Sequence, residues 1–116
     1  MEFLNKVQLR GVVGRAEIST YGDKRLCSFS LVTEYWNKHQ DGTAEVEVTW
    51  FNCRVWENSN DLPDADHMLE SIEKGAKLEL TGRFRSRKYT TESGEERISY
   101  DVLVKEWKLL EAPAQQ

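Results

Sequence analysis

The segment from residue 50 to residue 56 alternates between two kinds of side chain at the two-residue period of a β-strand. One set is apolar and suited to a core: Phe51, Cys53 and Val55. The other set is Trp50, Asn52, Arg54 and Trp56. Two indoles and a guanidinium are unusual on a solvated sheet face. They favour either a surface on which a ligand stacks or a strand buried on both faces, and this strand alone leaves both interpretations open.

The same two-residue period predicts five strands in all: Lys6–Val13, Leu26–Trp36, Ala44–Trp56, Lys77 to about Tyr89, and Arg97 to about Trp107. On the second strand, Phe29, Leu31 and Thr33 are expected to face the core. The last two strands are expected to direct the following residues inward: Leu78, Leu80, Phe84, Ile98, Tyr100, Val102 and Val104.

The period changes between the third and fourth strands. Apolar residues there are spaced as in an amphipathic helix of about three turns: Leu62, Ala65, Leu69 and Ile72. Asp61 or Asp64 can cap its start, and Gly75 is a stop signal.

The resulting order is β-β-β-α-β-β, which is that of the OB-fold, a five-stranded Greek-key barrel. We therefore predict an all-β OB-fold domain over residues 1–110, with one helix between strands 3 and 4. Residues 111–116 are expected to form a short flexible C-terminal end.

Composition excludes several function classes. The chain of 116 residues has 16 Lys and Arg against 20 Asp and Glu, a formal charge of −4, which argues mildly against indiscriminate polyanion binding. No apolar run approaches a membrane span and no secretory signal is visible, so a cytoplasmic location and no membrane partner are expected. Ser, Glu and His residues fall in no catalytic motif, so we expect no catalytic activity and no cofactor.

The two cysteines, Cys27 and Cys53, form no C-x-x-C pair and stand apart from both histidines, so no metal site is predicted. In a hairpin centred near residue 40 the thiols could lie opposite each other. Two buried free thiols are nevertheless favoured, because the cytosol keeps thiols reduced.

A second pattern of interest lies on the fourth strand. Three guanidiniums and a phenol ring recur at period two and share one face: Arg83, Arg85, Arg87 and Tyr89. Lys88 lies beside them in sequence. A solvated charged face would explain the row, but arginines also pair with phosphates while an aromatic ring stacks on a base. In an OB barrel, Trp36, Trp50, Trp56 and Tyr89 would border one groove, which predicts binding of an unpaired nucleic-acid strand.

Several motifs resemble those of bacterial single-stranded DNA-binding proteins over about residues 5 to 110. They are, in matching order, Asn5-Lys6-Val7-x-Leu9-x-Gly11-x-x-Gly14, Thr49-Trp50, Ile72-x-Lys74-Gly75 and Gly82-x-Phe84-Arg85-x-Arg87-Lys88-Tyr89. The resemblance implies sequence-tolerant binding of single-stranded DNA in replication, recombination and repair. It also implies a homotetramer, a dimer of dimers whose domains pair through their first strands.

By this resemblance, the four groove aromatics fall where family members stack bases, and Arg85, Arg87 and Lys88 fall at basic groove positions. The predicted DNA-contacting residues are Trp36, Trp50, Trp56, Tyr89, Arg54, Arg85, Arg87, Lys88 and Lys6.

Two departures from the family pattern affect its partners. Phe51 and Asn52 stand where the family often has His and a following polar residue near a subunit contact, which leaves dimer against tetramer open. Arg54 is a candidate to supply the missing charge. The sequence ends at Gln116 without the acidic tip through which family members recruit repair and replication proteins. Two interpretations stay open: the sequence is the core piece of a longer protein, or this member, of phage or plasmid origin, does not recruit partners through such a tip.

Two other binding functions fit the same residues. One is an adaptor of replication restart that resembles primosomal replication protein N and mainly contacts other proteins. The other is an RNA-binding OB module, because stacking hardly distinguishes ribose from deoxyribose.

Overall fold

The computed structural model describes residues 1–57 and 68–114. Its five strands are β1 (Val7–Tyr21), β2 (Lys24–Lys38), β3 (Ala44–Trp56), β4 (Lys77–Thr90) and β5 (Glu96–Glu111). They close into a barrel in the order β1-β2-β3-β5-β4, in which only β3 and β5 run parallel. This arrangement confirms the predicted all-β OB-fold barrel. Among the described residues, no helix is long and apolar enough to cross a bilayer.

Strand β1 extends well beyond Val13, where the alternation of the sequence predicted its end. Its register with β2 shifts between Val13 and Arg15, so Gly14 is an extra residue in the ladder. Such a bulge exchanges the two faces of the strand, because the side-chain period is two residues. The second half of β1 therefore continues out of phase with the first half, which hid it from the sequence pattern.

The predicted three-turn helix is not present in the described part of the chain. There, the segment before β4 contains only a 3₁₀ turn, Leu69–Ser71. Leu69 and Ile72 are both buried, as predicted, because three residues per 3₁₀ turn place them on the same side. The remaining positions of the predicted helix (Leu62, Ala65) and its caps (Asp61, Asp64) lie outside the described residues.

The core fills the barrel with residues from all five strands and the 3₁₀ turn, including Phe29, Leu31, Cys53, Val55, Leu78, Leu80, Val102 and Val104, all predicted to face inward. The prediction was wrong for Phe84, Ile98 and Tyr100, each about half exposed. These three share the face predicted from the alternation, but the β4–β5 hairpin extends past the end of the barrel there. Phe84 and Tyr100 instead stack on each other, with ring centroids 5.5 Å apart.

Cys27 and Cys53 are buried and free, as expected. Cys27 lies opposite Val55 and Cys53 lies opposite Phe29, so the thiols are diagonal neighbours in the β2–β3 ladder rather than a facing pair. Burial raises the pKa of the Cys27 thiol to about 11 and that of Cys53 to about 12. Both thiols are therefore protonated at neutral pH.

Candidate nucleic-acid interface

Three tryptophans lie on the outer face of the β2–β3 ladder. Leu26 is opposite Trp56, Val32 is opposite Trp50, and Trp36 is opposite Val46, and the three β2 positions differ by even numbers of residues, so all three pairs share one face. The exposed fractions are 61% for Trp36, 60% for Trp50 and 37% for Trp56. We call these three side chains the aromatic face. The fourth tryptophan, Trp107, is only 4% exposed and belongs to the core.

Trp56 is supported by a second ring. Tyr21 at the end of β1 contacts it edge to face, with ring centroids 5.9 Å apart and planes inclined by 67°. After the Gly14 bulge, Tyr21 shares the outer face of the sheet, and it is itself 53% exposed. Such an edge-to-face contact favours one orientation of the Trp56 indole.

The four residues of the basic row on β4 share one face of the strand, as predicted. Arg83, Arg85, Arg87 and Tyr89 lie opposite alternate residues of β5: Leu103, Asp101, Ser99 and Arg97. Lys88 lies opposite Ile98, so it is exposed on the other face of this hairpin, together with Phe84 and Tyr100. The phenol ring of Tyr89 is 48% exposed near the far end of the ladder.

The carboxylate of Asp101 holds two of these arginines. Arg85 donates from Nε to Oδ1 at 2.9 Å and from Nη2 to Oδ2 at 3.0 Å, and Arg87 donates from Nη2 to Oδ2 at 3.4 Å. The Asp101 side chain is 9% exposed, whereas Arg85 is 27% and Arg87 is 51% exposed. Arg85 is thus engaged in a bidentate ion pair, whereas the Arg87 side chain makes one long contact and is half exposed.

Two clefts bring predicted site residues together. The first, about 640 Å³, is lined by Lys6 and Trp56 together with residues of β4 and β5. The second, about 440 Å³, is lined by Arg54, Arg87 and Asp101, with residues of β1 on its opposite side. Arg54 pairs with Leu103 in the parallel β3–β5 contact, so the outer face of β3 continues onto β5.

Three of the predicted aromatics, Trp36, Trp50 and Tyr89, line neither of these two clefts. The single groove bordered by all four rings therefore stays a prediction. Within the described ranges, no group of three or more His, Cys, Asp and Glu side chains could hold a metal ion. The side chains gathered here are those that stack on flat rings and neutralise anions.

Comparison with known proteins identifies the family. A family model described as "Single-strand binding protein family" matches residues 4–110. The chain belongs to the single-strand binding protein family.

Family members of several bacteria are similar to it in sequence. The chain is 33% identical over 110 residues to the single-stranded DNA-binding protein of Neisseria meningitidis, covering 92% of this chain and 60% of that protein. It is 30% identical over 113 residues to single-stranded DNA-binding protein 1 of Streptococcus agalactiae, covering 96% of this chain and 65% of that protein. The chain thus spans 60–65% of the length of these relatives.

Solved structures of the family share the fold. The Plasmodium falciparum SSB in complex with single-stranded DNA superposes with a TM-score of 0.79 at 21% identity, covering 96% of this chain and 98% of that one. A deletion mutant of the single-stranded DNA-binding protein of Thermus aquaticus gives a TM-score of 0.72 at 18% identity, covering 93% of this chain and 51% of that one.

Sequence reasoning missed two residues that shape this family member's candidate site. Tyr21 lies outside the strands predicted from the alternation, although an aromatic residue at the end of one strand can reach across to a third strand on the same face. Asp101 carried no signal as an isolated acidic residue. Its position directly opposite Arg85 follows only from the register of the β4–β5 hairpin.

Proposed function

We propose that this chain binds single-stranded DNA without reading its sequence, by stacking bases on exposed aromatic rings and contacting phosphates with Lys and Arg, in DNA replication, recombination and repair. The observation that carries this proposal is the division among the tryptophans. Three indoles on one sheet face are left 37–61% exposed, while Trp107 is 4% exposed in the core. Large aromatic side chains are normally packed against other parts of the protein. Several indoles left exposed on one face therefore indicate a surface on which a flat ligand stacks.

The energies involved are sufficient for useful affinity. A base stacked on an aromatic side chain contributes about 1–3 kcal/mol. Three indoles and Tyr89 therefore contribute roughly 4–12 kcal/mol before the cost of ordering the strand. Release of counterions from the phosphates adds a further term that depends on salt.

An unpaired strand is the expected ligand, because the bases of a duplex already stack on each other and do not present their faces. The relatives from Neisseria and Streptococcus are named as single-stranded DNA-binding proteins, and a structural neighbour was solved with single-stranded DNA. Both facts support the proposal. The role is one of binding and protection, without catalysis, and belongs to the cytoplasm.

We also propose that the chain forms a homodimer or homotetramer through β1. The first half of β1 pairs with β4 from Val7 to Val12, and β2 pairs with β1 only from Val12 onward. Within the described chain, the second edge of residues 7–10 has no strand beside it. An unpaired edge of this kind is a site for strand addition from another copy. A sedimentation mass equal to that of one 13.5 kDa chain would contradict this assembly.

The test of the binding proposal is fluorescence anisotropy with labelled oligo-dT, in competition with duplex DNA and oligo-U and at several salt concentrations. We expect tight binding of oligo-dT, little competition by duplex, and affinity that falls as salt rises. Preference for oligo-U would instead assign an RNA-binding function. Absence of binding to either strand would favour a protein-contacting adaptor.

Variants separate stacking from folding in the same assay. Trp50→Ala with Trp56→Ala should lose binding while the protein stays folded, because both rings are exposed. Tyr35→Ala is the matched control, since Tyr35 is 67% exposed next to Trp36 but on the opposite face of β2. Unfolding of the double variant, or an equal loss in the control, would contradict the proposed role of the aromatic face. An assay for nuclease activity with magnesium tests the absence of catalysis.

A further inference from the structure

The cleft beside Trp56 carries an excess of positive charge that the predicted site residues only partly describe. Besides Trp56, its wall contains three cationic side chains, Lys6, Arg83 and Lys105, and one carboxylate, Glu106. It lies between Trp56, at the end of β3, and the middle parts of β4 and β5. We call it the Trp56 cleft.

A bulge in β5 forms one wall of the Trp56 cleft. Thr81 lies opposite Glu106, but the next residue, Gly82, lies opposite Val104, so Lys105 is an extra residue in the ladder. A Cβ at Gly82 would come within 2.9 Å of the carbonyl carbon of Leu103, so only glycine allows β5 to approach this closely. Bulges of this kind redirect a side chain, and here Lys105 lines the cleft.

On the other side of the cleft, the side chain of Asn5 forms two hydrogen bonds with the backbone of β4, much as a neighbouring strand would. The amide of Asn5 donates from Nδ2 to the carbonyl oxygen of Phe84 at 2.7 Å, and its Oδ1 accepts from the Phe84 backbone N–H at 3.0 Å. This pair of hydrogen bonds ties the segment before β1 to β4. Lys6, the next residue, is therefore held at the cleft rather than on a loose terminus.

The three cations of the Trp56 cleft lie together at one site, and no carboxylate of the described residues is paired with them as one is with several other basic residues of the barrel. Arg10, Arg25 and Arg85 each form an ion pair with a carboxylate. Among the described residues, Lys6, Arg83 and Lys105 form none. In a chain with a formal charge of −4, three unpaired cations against one carboxylate create a local positive potential beside an exposed indole.

We propose that the Trp56 cleft is a phosphate-binding subsite, in which Lys6, Arg83 and Lys105 hold the DNA backbone next to the base stacked on Trp56. A strand that follows the aromatic face then turns at Trp56 and crosses the β5 bulge toward β4. The inference deepens the function proposed above and rests on it. It adds Arg83 and Lys105 to the DNA-contacting residues and gives Glu106 an opposing role.

The test compares the salt dependence of oligo-dT binding in two double variants. Arg83→Gln with Lys105→Gln removes two cations of the cleft, whereas Lys74→Gln with Lys108→Gln removes two exposed cations that line neither cleft. Each lost phosphate contact lowers the steepness of log K against log salt by about 0.7 for a single strand. We therefore expect the cleft variant to bind more weakly at low salt, with a slope shallower by roughly 1.4, and the control slope to stay near that of the wild type.

Glu106→Gln provides a test of opposite sign, because removal of the one carboxylate should tighten oligo-dT binding. Thermal melts followed by circular dichroism show whether each variant is folded. Wild-type protein that binds oligo-dT while the cleft variant keeps the wild-type slope would overturn the subsite and leave the binding function standing. Equal slope changes in both double variants would overturn it too. Wild-type protein that does not bind oligo-dT would overturn the proposed function itself.

Discussion

The indole of Trp50 on β3 lies across Gly14 of β1, reaching over the intervening strand β2. A Cβ at Gly14 would come within 2.9 Å of Cη2 of this indole and within 2.8 Å of the hydroxyl of Ser30. A side chain at the bulge residue of β1 would therefore overlap the Trp50 indole. Glycine at this position leaves room for the Trp50 indole beside β1.

Gly14→Ala should weaken oligo-dT binding by about 1 kcal/mol, roughly fivefold, because the added methyl group lifts the Trp50 ring from its place. The measurement is a double-mutant cycle with Trp50→Ala. If the effect of the alanine acts through Trp50, it disappears in the Trp50→Ala background. An equal loss in both backgrounds would show that the methyl group disturbs the barrel elsewhere.

Tyr21 is expected to act as a positioning residue for Trp56. Tyr21→Leu removes an edge-to-face contact worth about 0.5–1.5 kcal/mol and should weaken oligo-dT binding two- to tenfold. Tyr21→Phe keeps the ring and loses only the hydroxyl, so it should bind as the wild type does. If Tyr21→Phe weakened binding as much as Tyr21→Leu, the hydroxyl rather than the ring contact would be responsible.

Arg85 and Arg87 should separate stability from binding. Arg85→Gln leaves the buried carboxylate of Asp101 without its bidentate partner and should lower the free energy of unfolding by about 1–3 kcal/mol. Arg87→Gln removes a half-exposed guanidinium and should weaken DNA binding with little change in stability. Urea denaturation and oligo-dT titration of both variants check this division, which the reverse pattern would contradict.

The buried thiols predict a loss of stability at alkaline pH. The ordinary thiol pKa of 9.0 holds in the unfolded chain, whereas burial raises it to about 11 for Cys27 and about 12 for Cys53. The contribution of the two protonated thiols to the free energy of unfolding is therefore fully present below pH 9. It is lost as the pH rises toward the raised pKa values, because the unfolded state then releases protons that the folded state keeps. Each thiol should cost about 1 kcal/mol between pH 8 and pH 10.

This loss is checked by measuring the melting temperatures of the wild type and of the double variant Cys27→Ala with Cys53→Ala at pH 8 and at pH 10. The double variant is expected to be less stable at both values because of the cavities, but its decline between them should be smaller. An identical decline in the two proteins would assign the alkaline sensitivity to other groups.

Local alternation was enough to predict much of this molecule. It placed the five strands, the core residues of the barrel and the shared face of Trp36, Trp50 and Trp56. It failed where a single residue shifts the phase, as Gly14 does in β1, and where a hairpin leaves the barrel, as at Phe84 and Tyr100. In both places the alternation of side chains is a property of one strand, whereas the burial of a side chain depends on which other strands pack against that face.

The candidate site shows the same limit. The arginines of β4 were recognisable from their spacing, but their electrostatic roles depend on partners far away in sequence. Asp101 holds Arg85 across a hairpin, and the bulge at Lys105 arises from a register that no single strand specifies. Residues that stack on bases or bind phosphates can thus be recognised in the sequence from their residue type and spacing. The residues that position or neutralise them can be recognised only from the three-dimensional structure.

The most direct test of the account is the quenching of tryptophan fluorescence by oligo-dT in the wild type and in a variant that retains only Trp107. This variant carries Trp36→Phe, Trp50→Phe and Trp56→Phe, so phenyl rings keep a surface for stacking while the core indole alone emits. The account predicts strong quenching of the wild type by oligo-dT, far weaker quenching by duplex DNA, and almost unchanged emission from the variant when it binds. Unaltered wild-type emission at saturating oligo-dT, or equal fractional quenching of the Trp107 variant, would contradict it.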